Sequence, residues 1–163
     1  MRVPVLLAAT LLLGGTSAFA QTPPDQQPTN PPPSNQAAPN QAQAELRPMP
    51  ENARVYILWP PDGAVIRGGF WLRMGLSGAG VAPAGIARPN TGHHHLLVDT
   101  ELPPLDQEIP NDRNHLHFGL GQTEARLELP PGRHTLQLLL GDENHVPHRP
   151  PLYSQRITVT VTP

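Results

Sequence analysis

The sequence predicts an all-β protein, an antiparallel β-sandwich of about seven strands. Short runs of β-branched, aromatic and leucine residues alternate with polar residues at the two-residue period of a strand. Clusters of Pro, Gly, Asn and Asp separate these runs and supply turns. No stretch keeps the 3.6-residue period of an amphipathic helix. Because the runs and the turns between them span roughly 110 residues, they fit one sandwich domain.

The first 20 residues have the features of a secretory signal peptide. Arg2 gives a positive start, residues 5–13 form a short apolar run, and Ala18-Phe19-Ala20 is a small-x-small cleavage site. An uncleaved anchor is the alternative, but the run is shorter than the ~20 apolar residues that span a bilayer. We therefore expect a periplasmic or secreted protein with no membrane insertion after the signal is cleaved.

Residues 21–50 are predicted to be a disordered linker. They include nine Pro and six Gln and almost no large apolar side chain. Such a segment cannot bury enough surface to offset the entropy that it would lose on ordering. A spacer through the cell envelope is the simplest role, and a ligand for a proline-binding module is the alternative.

The folded domain is assigned to residues 51–163. Its first strand reads RVYILW and is followed by the turn sequence PPDG. Residues 79–91, 100–114 and 141–151 are rich in turn-forming residues and are predicted loops. The predicted strands span residues 54–59, 70–78, 93–99, 115–118, 124–129, 133–140 and 153–161.

Two motifs favour an immunoglobulin-like form of the sandwich. The first strand leads into WPPDGAVIRG, which has the pattern aromatic-Pro-Pro-Asp-Gly-x-x-Ile-x-Gly, and a later turn and strand read PGRHTL. Both patterns are similar to motifs of bacterial extracytoplasmic immunoglobulin-like domains. A small barrel is the alternative architecture.

Composition excludes several kinds of chemistry. Without Cys, the chain cannot form disulfides, use a thiolate nucleophile or bind a metal through cysteine sulfur. Without Lys, it cannot form a Schiff base, since all 11 basic residues are Arg. The net charge is −2 with acidic and basic residues interspersed, which argues against nucleic acid or an anionic membrane as a partner.

All eight histidines lie between His93 and His148, and two pairs have the spacing of a strand face. Residues i and i+2 of a strand share a face about 6.6–7 Å apart, so His93 pairs with His95 and His115 with His117. If these strands are neighbours with their leucines facing the core, the four imidazoles converge. Neutral imidazole suits Cu(II) and Zn(II), so the sequence predicts a copper or zinc site. The predicted metal ligands are His93, His95, His115, His117, His145 and His148.

A hydrogen-bonded structural network is the alternative role for the histidines, because imidazoles also bond loop carbonyls. His94 is expected to be semi-buried and structural, and His134 to bond a carbonyl at the core edge. Asp99 is expected to cap its strand. Asp142 and Glu143 are candidates to orient imidazoles as hydrogen-bond acceptors.

An enzyme is the less favoured interpretation. No serine lies in a Gly-x-Ser-x-Gly elbow, and no Gly-rich phosphate loop precedes a helix. A cupin-like metal oxygenase or isomerase is the main enzyme hypothesis, because His93, His95, Glu101 and His134 follow the ligand order of those barrels. However, Glu101 lies beyond the predicted strand end, and the later Pro-Gly-Arg-His motif is compressed.

The histidine-containing segments resemble a known family. They read PNTGHHHLLVDTELP and PNDRNHLHFGLGQTEARLELPPGRHTLQLLLGDENHVPHRPP, and the chain closes with SQRITVTV. Over residues 55–162 the chain is similar to the bacterial exported family catalogued as domain of unknown function 4399. The resemblance implies an extracytoplasmic single-domain protein, does not include the linker, and carries over no catalytic or binding residues.

These observations together predict an exported, non-enzymatic binding module whose histidine cluster takes up copper or zinc. The alternative is a structural or interaction domain with an envelope protein as its partner. The two hypotheses differ in geometry. A metal site needs three or more converging imidazoles with solvent access, whereas a structural network bonds each imidazole to its own local acceptor.

Overall fold

Alternating apolar residues produce nine strands in the part of the chain that the computed structural model describes, residues 47–163. The predicted signal peptide and residues 21–46 of the predicted linker lie outside the described residues. Within residues 47–163 there is no helix, and so none long and apolar enough to cross a membrane. The strands are β1 (Arg54–Trp59), β2 (Ala64–Arg67), β3 (Phe70–Ser77), β4 (Gly80–Val81), β5 (Thr91–Val98), β6 (His115–His117), β7 (Glu124–Leu127), β8 (Gly132–Gly141) and β9 (Ile157–Thr162).

The strands form two sheets. β1, β3 and β7 make an antiparallel sheet, and the larger sheet has the order β2-β9-β8-β5-β4, with β6 also paired to β5. This is the immunoglobulin-like arrangement, in which strands A, B and E face strands G, F and C. The predicted sandwich is therefore confirmed. The larger sheet is mixed rather than purely antiparallel, because the edge strands β2 and β4 run parallel to their neighbours.

The hydrophobic core lies between the two sheets. Leu72 and Met74 of the smaller sheet and Leu96, Leu138 and Val159 of the larger sheet belong to one buried cluster. Burying a side chain of this size contributes about 1.5–3 kcal/mol. Because the chain has no disulfide, this core carries the stability that cross-links supply in many exported domains.

The structured part of the chain begins before residue 51. Met49 is buried in the core, and its amide donates a hydrogen bond to the carbonyl of Arg149. The Arg149 amide in turn donates to the carbonyl of Arg47. The last residues of the predicted linker are therefore part of the fold.

Each of the seven predicted strands has a counterpart, and β2 and β4 are additional. These two have only four and two residues, which is too short to show a distinct alternation. β9 begins at Ile157 rather than at residue 153, because Tyr153 forms only an isolated bridge with Leu139. At the next residue the Ser154 hydroxyl, rather than a backbone carbonyl, accepts the Leu138 amide.

Loops cover the outer face of the larger sheet near β5. Leu97 of β5 and Leu139 of β8 form a second buried apolar cluster with Ile109, which lies in the long loop between β5 and β6. As a result, residues 92–98 are all buried, although only one face of β5 contacts the main core. The histidines of β5 that face away from the core are therefore enclosed as well.

Candidate metal centre

Strand pairing brings three of the predicted ligands together on the outer face of the larger sheet. β5 and β6 are antiparallel and place His95 directly opposite His117. His93 lies two residues before His95 and shares its face. Directly opposed residues have Cβ atoms about 4.5–5.5 Å apart, which lets their imidazoles meet. Leu96 and Val98 face the core, as the proposed convergence requires.

These three imidazoles are close enough for their nitrogens to share one ion. One ring nitrogen from each lies within 4.8 Å of the other two. The shortest separation is 3.0 Å, between Nε2 of His93 and Nε2 of His95. Two nitrogens bound to one tetrahedral ion at ~2.0–2.1 Å are roughly 3.3–3.4 Å apart. Small side-chain adjustments would therefore bring His93, His95 and His117 into coordination geometry.

A fourth imidazole, that of His145, comes from the loop after β8. Its ring centroid is 4.7 Å from that of His117 and within 5.9 Å of the other two. The backbone of His145 is left-handed, with φ of +66°, which costs a non-glycine residue about 1–2 kcal/mol. Asp142 stabilises this turn, since its carbonyl accepts the His145 amide and its carboxylate accepts the amides of Asn144 and Val146.

The long loop between β5 and β6 also contacts His145. The Ile109 amide donates a 2.8 Å hydrogen bond to the His145 carbonyl, and Oε1 of Glu108 is 3.9 Å from Nδ1 of His145. At that distance Glu108 lies beside this ring without a hydrogen bond to it; the role of orienting an imidazole was suggested for Asp142 and Glu143. Those two acids have other partners: the Asp142 carboxylate accepts backbone amides, and Glu143 forms an ion pair with Arg47.

Two glycines make room for the cluster. A Cβ at Gly119 would lie 2.3 Å from Cε1 and Nε2 of His117, and a Cβ at Gly141 would lie 3.0 Å from Nε2 of His95. Both contacts are tighter than ordinary packing allows, so each ring occupies the space that the glycine leaves. Neither glycine was predicted from the sequence. Gly119 follows His117 by two residues, which is a usable signal, but Gly141 is adjacent only through the register of β5 with β8.

The buried imidazoles are neutral at pH 7. His93 and His95 are fully buried. Burial first, and then the neighbouring histidines, lower the pKa of His93 to about 4 and that of His95 to about 2. Burial also lowers the pKa of His117. Neutral imidazole is the form that binds a metal ion.

The cluster also leaves buried nitrogens without hydrogen-bond partners. Within the described residues, Nδ1 of His93, Nδ1 of His95 and Nε2 of His117 have none. An unpaired buried polar atom costs about 1–3 kcal/mol, and native structures contain few of them. The unpartnered Nε2 of His117 is therefore available to an ion, whereas the Nε2 atoms of His93 and His95 already contact each other.

The structure does not bring the other two predicted ligands into ring contact with the cluster. His115 lies opposite Leu97 and pairs with Asp112, whose Oδ1 is 2.9 Å from its Nδ1. His148 is buried behind β5, where a Cβ at Gly92 would lie 2.8 Å from its Nε2. His115 therefore has the local partner of a structural histidine, whereas both ring nitrogens of His148 are unpartnered among the described residues.

His94 and His134 have structural partners, as the sequence suggested. His94 is fully rather than partly buried, and its Nδ1 lies 3.3 Å from the Gln122 carbonyl. The two ring nitrogens of His134 face the Asp99 carboxylate at 2.7 Å and the Pro130 carbonyl at 2.8 Å. Burial acts to lower the pKa of His134, but the hydrogen bonds to Asp99 and Pro130 raise it overall. Asp99 thereby joins the end of β5 to the start of β8.

The cupin-like grouping of His93, His95, Glu101 and His134 is not formed. His134 and Gly141 lie near opposite ends of β8, and Gly141 is the one opposite His93. His95, the nearer of the two β5 ligands, lies opposite Leu139, and five residues at ~3.3 Å each put His134 roughly 16–17 Å away along β8. Glu101 is exposed and forms an ion pair with Arg156.

Of the comparisons with known proteins, the family match confirms the resemblance. Among solved structures, the chain is similar to the fibronectin(III)-like modules of Clostridium thermocellum CbhA, with 14% identity over 66% of this chain and 92% of that chain and a TM-score of 0.31. The search of curated proteins found no match. The family described as Domain of unknown function (DUF4399) matches residues 72–162, which is more than half of the chain and includes the whole histidine cluster. The protein therefore belongs to this family of domains of unknown function.

Proposed function

We propose that this protein is an exported metal-binding domain that takes up one copper or zinc ion. The observation that carries the proposal is the convergence of two buried imidazoles and one partly buried imidazole, each with a ring nitrogen within 4.8 Å of the others. The ligands are His93, His95, His117 and His145. An all-imidazole donor set suits Cu(II) and Zn(II), and Cu(II) binds more tightly in the Irving–Williams order. Export is proposed from the signal-peptide features of residues 1–20.

The four ligands have different mechanical roles in this proposal. His93 and His95 are fully buried on the central strand β5 and provide a rigid pair of donors. His117 lies on the short strand β6, and His145 lies on a loop with 31% of its side chain exposed. An ion therefore reaches the site from the loop side, where the imidazole of His145 completes the coordination.

A structural or protein-interaction domain of the envelope is the second candidate function. The direct contact between Nε2 of His93 and Nε2 of His95 supports it, because one neutral imidazole can donate a hydrogen bond to the other. The unpartnered Nε2 of His117 favours metal binding, since a purely structural network would pair it as it pairs the ring nitrogens of His134.

Titration calorimetry of the metal-free mature protein with Cu(II) and with Zn(II) tests the proposal. We expect one saturable site per chain with micromolar or tighter affinity, and tighter binding of Cu(II). The double variant His93→Ala/His95→Ala removes the two deepest donors and should abolish binding. His115→Ala is the matched control, because it removes a histidine of the neighbouring strand that lies outside the cluster.

Circular dichroism and thermal unfolding of each variant separate a lost ligand from a lost fold. If the double variant unfolds, the single variants His117→Ala and His145→Asn supply the same test from the less buried side of the cluster. Weak, non-stoichiometric uptake by the unaltered protein would refute the metal proposal. The search would then move to envelope proteins as partners.

A further inference from the structure

We infer that residues 47–49 form a strap that positions His145, and that detaching this strap weakens metal binding. The strap is the end of the predicted linker, and it contacts the loop that carries His145. The inference rests on the proposed metal site, because it gives a positioning role to residues that do not touch the ion. It makes the end of the linker a regulatory element of that site.

Backbone hydrogen bonds fasten the strap to the chain just after the His145 loop. The Met49 amide donates to the Arg149 carbonyl at 3.1 Å, and the Arg149 amide donates to the Arg47 carbonyl at 2.9 Å. Pro48 and Arg149 thereby form an isolated parallel bridge. The side chain of Met49 is buried in the main core. The strap is therefore held in a fixed position beside the loop.

One side chain of the strap reaches the turn that contains His145. Arg47 forms an ion pair with Glu143, whose side chain is only 8% exposed. Within residues 47–163, no other side chain pairs with that carboxylate. A buried carboxylate that loses its partner is costly, so it moves toward water. Without Arg47, the Glu143 side chain should therefore leave its position, two residues before the proposed metal ligand.

Hydrogen bonds within the turn transmit a movement of Glu143 to His145. The Asp142 amide donates to the Val146 carbonyl at 2.9 Å, and the His145 amide donates to the Asp142 carbonyl at 3.0 Å. Glu143 thus lies inside a closed turn together with His145. The ring centroid of His145 is 4.7 Å from that of His117, so a displaced turn moves one imidazole away from the others.

The strap should affect the metal site more than the stability of the fold. Arg47 is 43% exposed, and ion pairs with exposed partners contribute little to the free energy of unfolding. Coordination is more sensitive to position, because metal–nitrogen distances vary by only about 0.2 Å. Residues that orient a ligand without touching the metal typically change the affinity about 10- to 100-fold when they are replaced.

The coupling between strap and metal acts in both directions. If the docked strap favours metal binding, linkage requires that bound metal favours the docked strap by the same factor. Zn(II) should therefore slow hydrogen exchange at the amides of Met49 and Arg149, which fasten the strap. Any partner that pulls the linker away from the domain should release the ion.

Amide hydrogen exchange of the metal-free mature protein tests the positioning itself. We expect Arg47→Ala to speed exchange of the His145 and Val146 amides by about fivefold or more, whereas Arg47→Lys keeps the charge and should stay close to the unaltered protein. Arg88→Ala is the matched control, because Arg88 lines the same cavity as Arg47 but forms no ion pair within residues 47–163. Unchanged exchange in Arg47→Ala would overturn the inference, whether or not the protein binds metal.

Titration calorimetry with Zn(II) tests the coupling to the metal. We expect Arg47→Ala to lose about tenfold in affinity, and to add no further loss in the His145→Asn background. An affinity within about twofold of the unaltered protein, or an equal loss in both backgrounds, would overturn the inference. If the unaltered protein shows no saturable Zn(II) or Cu(II) binding, the proposed metal site fails and the coupling with it, while the exchange data still decide whether the strap positions His145.

Discussion

Gly119→Ala should weaken metal binding without removing a histidine. A Cβ at this position would lie 2.3 Å from Cε1 and Nε2 of His117, whereas ordinary contact begins at 3.4 Å, so the ring must retreat by roughly 1 Å. Metal–nitrogen bonds of ~2.0–2.1 Å vary by only about 0.2 Å. A displaced His117 therefore cannot bind the ion together with His93 and His95. Losing the support of one ligand typically costs about 10- to 100-fold in affinity, and we expect a loss in that range.

The same substitution should leave the fold intact. Gly119 is not among the glycines with positive φ, so alanine adopts its backbone without strain. The clash is with a side chain that is only partly buried and can move toward solvent. The melting temperature of the metal-free variant should therefore stay close to that of the unaltered protein.

A competition assay with a chromophoric chelator measures the effect in four proteins: unaltered, Gly119→Ala, His117→Ala and the double variant. If the alanine acts through the imidazole, it weakens binding in the unaltered background and adds nothing in the His117→Ala background. Such non-additivity is the signature of two coupled residues. An affinity of Gly119→Ala within twofold of the unaltered protein would refute the reasoning, and so would an additive loss in the double variant.

The metal-free domain should lose stability as the pH falls below 6.5, because the unfolded chain takes up protons that the buried His93 and His95 do not. The free energy of unfolding should fall by about 1.4 kcal/mol per pH unit for each of these histidines, down to about pH 4. Urea unfolding at a series of pH values measures this slope, and a stability that does not change with pH would contradict the prediction. His145→Asn should weaken metal binding. The melting temperature should be unchanged, because asparagine tolerates the left-handed backbone. A variant that no longer folds would show that the His145 ring is structural. Asp99→Asn should lower the pKa of His134 in an NMR titration, and an unchanged pKa would contradict the pairing. In the unaltered protein the Asp99–His134 pair stabilises the fold most at pH values between the lowered pKa of Asp99 and the raised pKa of His134. The Asp99 contribution is lost as the pH falls through the pKa of Asp99, and the His134 contribution is lost as the pH rises through the pKa of His134.

The strands were predictable because their signals are local. Alternation along RVYILW or GRHTLQLLLG is read from neighbouring residues, and each predicted strand has a counterpart in the structure. β2 and β4 were not predicted, because two to four residues carry too little alternation. These edge strands are held by parallel pairing with β9 and β5, which is a property of the assembled sheet.

Part of the candidate site was predictable for the same reason. The two-residue spacing of His93 and His95 places both imidazoles on one strand face, whatever the rest of the fold. For His115 and His117, the spacing alone does not determine which of the two lies beside His93 and His95. The register of β5 with β6 sets His117 opposite His95 and leaves His115 opposite Leu97. A slip of one residue would turn β6 over and direct its histidines to the core.

Composition alone excluded cysteine ligands from any metal site, and it confined every imidazole to the segment from His93 to His148. Tertiary structure chose among them. His145 and His148 are three residues apart, yet one joins the cluster and the other lines a separate cavity. The turn built on Asp142 and the left-handed backbone of His145 make that difference. Register and loop conformation depend on hydrogen bonds and packing between residues distant in the chain, and no local pattern of residue types encodes them.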